Sequence, residues 1–98
     1  MPIRERGPKS SDTAETVALQ ALGFLAADDD ILARFMALAG LSVDELRPRA
    51  GDPAFLGGVL DFVLEDEKLL LEFCETAQLK PATIARLRAD LPGAPFWE

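Results

Sequence analysis

The sequence predicts an all-α fold: a compact single-domain bundle of about six helices built from a duplicated three-helix unit. Three observations lead there. Leu and Ala dominate the apolar set, Tyr is missing and β-branched residues are sparse, a mixture that favours helix over strand. Apolar residues recur at helical spacing between recognisable start and stop signals. The second half also repeats the first at a spacing of 38 residues: Leu22, Phe24, Asp28, Leu32, Phe35, Ala39 and Leu41 return as Leu60, Phe62, Asp66, Leu70, Phe73, Ala77 and Leu79. These are seven identities over the 26 positions from Leu22 to Arg47, where chance gives about two. A unit used twice in this way is too small to bury its apolar face alone and packs against its copy.

Residues 1–11, rich in charge, proline and glycine, read as a lead-in. Asp12 and Glu15 have capping-box spacing, so a first helix starts near Thr13 and turns Ala14, Val17, Ala18, Ala21, Leu22 and Leu25 to one side. Asp28, Asp29 and Asp30 open a second helix with Ile31, Leu32, Phe35, Met36 and Ala39 inward, and Gly40 stops it. Ser42 and Glu45 form another capping box, opening a short helix that ends before Pro48. The second unit repeats this plan. Asp52 caps and Pro53 takes the first helical position, where a missing N–H costs nothing. Phe55, Leu56, Val59, Leu60 and Val63 form the next stripe. Glu65, Asp66 and Glu67 open a fifth helix with Leu69, Leu70, Phe73, Cys74 and Ala77 inward, and Pro81 opens a sixth with Ile84, Leu87 and Leu91, stopped by Pro92-Gly93. The domain therefore spans 12–93, with units 13–47 and 51–85, and 94–98 is an aromatic tail. Phe35 and Phe73, mid-stripe on matched helices, are expected buried and close together.

Composition bounds the function. A net charge of −7 opposes binding to phosphate backbones and to anionic lipid. A single cysteine excludes an internal disulfide, and no uncharged apolar run reaches the about 18 residues a membrane span needs. A soluble, cytoplasmic protein with no membrane contact is expected.

The runs Gly40 to Arg47 (GLSVDELR) and Asp52 to Phe62 (DPAFLGGVLDF), with Asp66-Glu67 and Phe73-Cys74, resemble a family of small bacterial proteins defined only as a domain of unknown function. The resemblance covers about Thr13 to Gly93. It implies a compact helical domain of bacterial origin and carries no catalytic, cofactor or binding residue with it.

Each candidate site has a plainer reading beside it. Clustered carboxylates at 28–30 and 65–67 suit a hard cation such as Mg²⁺ or Ca²⁺. Both clusters stand at predicted helix starts, where carboxylates accept backbone N–H groups, so capping is preferred and no metal or cofactor is assigned. Cys74 could be a nucleophile, but the chain has no His to activate it and the residue falls on a buried stripe. Gly57-Gly58 inside a helix points to close packing more than to a ligand. Lys80, Arg86 and Arg88 give the sixth helix a basic face, the basis of an alternative reading as a DNA-binding helix-turn-helix regulator. Leu19, Ala33 and Leu71 stand opposite their stripes.

The preferred expectation is a non-catalytic protein–protein interaction module whose partner-binding residues are Leu71, Phe96 and Trp97, with self-association also open. Leu71 breaks the stripe of its helix, and aromatic anchors dominate interfaces where a partner buries them. A carboxylate-based enzyme or metal protein is the second alternative. Without His, Tyr or a reactive thiol, and with no glycine-rich phosphate cradle, an enzyme is the less favoured class.

Overall fold

Six helices follow one another through residues 10–93, the part of the chain that the computed structural model describes: α1 (Ser10–Ala26), α2 (Asp29–Ala39), α3 (Val43–Arg49), α4 (Pro53–Leu64), α5 (Glu67–Ala77) and α6 (Pro81–Arg88). Among the described residues there is no strand. Aspartate side chains cap three of the starts, and the Ser42/Glu45 capping box opens α3. Asp28 Oδ1 accepts the N–H groups of Asp30 and Ile31 at 3.0 and 3.2 Å. Asp52 Oδ1 accepts that of Ala54 at 3.0 Å, with Pro53 in the first turn. Asp66 Oδ1 accepts that of Leu69 at 3.1 Å. Each contact satisfies an N–H with no intrahelical partner, opposite the positive end of the helix dipole. α2 and α5 end alike: Gly40 (φ 69°) and Gln78 (φ 58°), 38 positions apart, both take the left-handed conformation that turns the chain out of a helix.

Two boundaries differ from expectation. α1 begins at Ser10, ahead of the expected start near Thr13. Serine and aspartate serve equally at helix starts, so several starting points compete and spacing alone does not choose among them. α3 continues through Pro48 to Arg49. Proline there removes an N–H that would have bonded the Asp44 carbonyl, but both residues are exposed, so water can hydrate that carbonyl. The last turn closes instead through the Ala50 N–H on the carbonyls of Leu46 and Arg47.

α4 lies at the centre. α1, α5 and α6 pack against it, and α2 packs on α1. A single buried stripe was expected for α4, yet every residue from Phe55 to Leu60 is buried, as are Phe62 and Val63. A helix apolar or small on all sides is one surrounded by neighbours. α3 is its opposite: none of its residues is buried, and it joins the core through the half-buried Leu46 and Ala50.

Phe35 and Phe73 are both fully buried. The rings that each meets belong to the central helices. Phe35 packs edge-on to Phe62 and Phe55 of α4, with centroids 5.2 and 5.8 Å away, and Phe73 packs on Phe24 of α1 at 5.5 Å. Phe24 and Phe62 are themselves 38 residues apart, so the two ring pairs are related by the sequence register. The chain is an all-α single domain with one contiguous core.

Truncating either ring should leave an unfilled cavity costing about 3–5 kcal/mol. Phe35→Ala and Phe73→Ala should each lower the melting temperature by well over 10 °C, on the order of 4–8 °C per kcal/mol for a domain of this size. Thermal melts followed by circular dichroism check this.

Candidate functional site

The acidic clusters act as helix starts. Asp28 and Asp66 cap α2 and α5. Asp66 also reaches across to α2: its Oδ2 accepts Arg34 Nη2 at 3.1 Å, and the same guanidinium lies 5.3 Å over the Phe62 ring. The N–H of Leu69, with help from Arg34, holds the Asp66 carboxyl below its ordinary value of 3.8. Glu45 is likewise lowered, chiefly by the backbone N–H of Ser42 at 2.9 Å, with the Ser42 hydroxyl adding a second bond at 3.1 Å. Among the described residues, no three Asp, Glu or Cys side chains converge in a metal-binding group. Cys74 is buried on α5, and burial raises its thiol pKa, which disfavours the reactive thiolate.

The densest polar arrangement lies between α4 and α6. Arg88 Nε donates to Asp61 Oδ1 at 2.7 Å, with both side chains only 13% exposed. Its Nη1 donates to the carbonyls of Leu91 and Pro92 at 2.8 and 3.3 Å, and its Nη2 to that of Gly93 at 2.7 Å. One guanidinium thus fastens the segment after α6 against α4. Gly57 makes room for it. A Cβ there would sit 2.8 Å from Arg88 Nη1 and 2.9 Å from the Pro92 carbonyl oxygen. Arg88, assigned to a basic face by sequence, is therefore an internal clamp, leaving Lys80 and Arg86 exposed on that helix.

The exposed apolar residues are distributed unevenly. Leu71 is 52% exposed on α5 and lies outside the lining of the α1/α3 and α1/α5 grooves, and its neighbours one turn away on the outer face, Glu67, Lys68 and Glu75, are charged. Phe96 and Trp97 lie outside the described residues. Leu19 (45% exposed) and Val43 (70%) instead stand together at the rim of a groove between α1 and α3. Its volume is about 420 Å³, Leu22 and Leu46 lie within it, and Arg47 is the cation in its lining. A second groove of about 500 Å³ between α1 and α5 is floored by Phe24 and Phe73, but Gln20 and Thr76 give it a polar rim. Val43 carried no weight in the sequence reading, although a valine in the first turn of a short helix, outside any stripe, was a usable signal.

The model of a family described as a protein of unknown function, DUF3572, matches residues 11–94. The chain belongs to that family. No curated protein and no solved structure matches the sequence.

The close approach in the DUF3572 domain is testable at two helical glycines with different surroundings. Gly57→Ala should destabilise by about 1–3 kcal/mol, because the new methyl meets a backbone carbonyl as well as a side chain. Gly23→Ala should stabilise by about 0.5–1 kcal/mol, since nothing lies within 4 Å of the added carbon. Urea unfolding of both variants reads the difference.

The depressed Asp66 carboxyl also makes a pH prediction. Its native-state pKa lies below the unfolded value of 3.8, so its contribution is present above that pH and is lost as pH falls through the lower native value. Asp66→Asn keeps an oxygen able to cap the helix but cannot titrate. The variant should show a flatter loss of stability below about pH 4 than the parent. Denaturant melts across the acid range check this.

Proposed function

We propose that this domain is a non-catalytic module that binds a protein partner through the groove between α1 and α3. The observation that carries the reading is the apolar rim: Leu19 and Val43 stay exposed around a groove of about 420 Å³ lined mainly by apolar side chains. Apolar surface gathered in a concave site is what a partner covers. The chemistry elsewhere supports the same reading. The prominent carboxylates are engaged as caps, the thiol is buried, and the chain contains neither His nor Tyr. The net charge of −7 and the sequestration of Arg88 weigh against a nucleic-acid surface.

Two further readings accompany this one. A bacterial, cytoplasmic protein is supported by the sequence resemblance and composition, together with the lack, among the described residues, of any helix long and apolar enough to cross a membrane. A duplicated unit is supported by the seven repeat identities, the matched caps at Asp28 and Asp66, and the paired rings Phe35–Phe62 and Phe73–Phe24.

The test is site-specific photo-cross-linking in the native cell. A cross-linker at position 19 or 43 should capture one defined partner, and the same probe at Glu75 on α5 should not. Val43→Asp should abolish capture by a cross-linker at 19 while changing stability by no more than about 0.5 kcal/mol, as expected for an exposed site. Equal capture from all three positions would contradict the reading.

A further inference from the structure

The groove between α1 and α5 is floored by the Phe24–Phe73 ring pair. The chain holds a second ring pair, Phe35–Phe62, at nearly the same separation, and there the face of the α4 ring is covered. Arg34, one residue before Phe35, lays its guanidinium 5.3 Å over Phe62 and donates to Asp66 Oδ2, and Phe62 is buried. Asp66 is placed for this by a tight turn after α4, in which its N–H bonds the Val63 carbonyl. Asp28 is placed in the same way after α1, with its N–H on the Leu25 carbonyl, so a capping aspartate follows Phe24 as one follows Phe62. The cation is what the first pair lacks. The residue before Phe73 is Glu72, one turn from Thr76 on the groove side of α5. Asp28 caps α2 through Oδ1, and among the described residues no side chain bonds its Oδ2 or Glu72. Phe24 accordingly stays half-buried, lining an open groove of about 500 Å³.

We infer that the α1/α5 groove is a second binding surface, which takes an arginine side chain of a partner protein with its guanidinium over the Phe24 ring and between Asp28 and Glu72. The arrangement at Phe62 shows that a ring beside a capping aspartate in this fold accepts that group. The chemistry selects arginine. The negative face of an aromatic ring attracts a cation. A guanidinium is planar, so it lies flat on the ring while its edge donates to carboxylates, and it gives up its water more readily than an ammonium. The polar rim residues Gln20 and Thr76 offer acceptors to the remaining N–H groups. The chain cannot supply the cover itself, because Glu72 carries the charge that a ring face repels. A net charge of −7 draws a basic partner toward the site.

The probe is the blocked tripeptide acetyl-Gly-Arg-Gly-amide, titrated into the isotope-labelled full chain at about 0.15 M salt, where long-range attraction is screened, and followed by amide NMR shifts. Saturable shifts at Gln20, Phe24, Ala27 and Thr76, with Leu19, Val43 and Leu71 unmoved, are expected with a Kd of about 1–10 mM, the weak range suited to one anchoring side chain. The same peptide with citrulline, which is planar but uncharged, or with lysine in place of its arginine should bind at least about fivefold more weakly. Glu72→Arg supplies from α5 the guanidinium that the groove lacks, so it should abolish probe binding and raise the melting temperature by about 2–5 °C. Asp28→Asn, which keeps an oxygen for the helix cap, should weaken binding by about threefold or more. Thermal melts confirm that both variants are folded. The inference is overturned if the groove residues do not shift, if the citrulline or lysine peptide binds as tightly, or if the folded Glu72→Arg chain binds the probe as the parent does. Equal shifts around Asp44 and Glu67 would reveal a general attraction to acidic surface and overturn it as well. The α1/α3 groove is read separately by the cross-linking at 19 and 43, so either surface can fail without the other.

Discussion

The missing side chain at Gly57 is the constraint on which much of this architecture depends. Because nothing projects from α4 at that point, the guanidinium of Arg88 and the carbonyl of Pro92 lie directly against its backbone. That approach places Arg88 Nε on Asp61 and lets the remaining donors of one side chain collect three successive carbonyls. Those carbonyls follow the end of α6 and have no helical partners of their own. A largely buried charge is tolerable only when paired and hydrogen-bonded, and Arg88 meets both conditions. The segment it fastens seals one side of α4, which explains how that helix is enclosed along nearly its whole length.

The same logic accounts for the asymmetry between the two halves. At the 38-residue spacing of the sequence, Leu19 of α1 falls against Gly57 of α4, and α3 has no buried residue whereas α6 buries Ile84 and Leu87. Leu19 projects a half-exposed side chain from α1, whereas Gly57 leaves the backbone of α4 bare to its neighbours. The result is an apolar groove beside α3 and a packed interior beside α6. Charge reinforces the division of labour. Acidic side chains start the helices, where the dipole and the free N–H groups favour them, and the polar chemistry of the chain is thereby spent largely on holding elements in place.

Much of the fold was legible in the sequence because its signals were local. Asp28, Asp52 and Asp66 as caps, Gly40 as a left-handed stop and Pro53 and Pro81 as first-turn residues each follow from the chemistry of one helix end. What was not legible depended on tertiary neighbours. Nothing in Gly57 or Arg88 alone announces their contact 31 positions apart in the chain, and Arg88 read as a surface cation until Asp61 was placed beside it. The full burial of α4 was hidden for the same reason, since the number of helices packed around it is a property of the whole chain. Pro48 misled because its penalty depends on whether the freed carbonyl can reach water, as it can on an exposed helix. The rim residue Leu19 stood out from its stripe, but only the placement of α3 brings Val43 beside it.

The central claim is that an apolar groove stays open between α1 and α3 while the space beside Gly57, between α4 and the segment after α6, is filled. Cysteine accessibility tests it most directly, since the native thiol at Cys74 is buried and gives a low background. Single cysteines at 19 and 43 should react with a small maleimide at nearly the rate of a free thiol. Cysteines at 84 and 91 should react at least about a hundredfold more slowly, limited by opening of the folded domain. Comparable rates at all four positions, measured under conditions where the variants remain folded, would contradict the account.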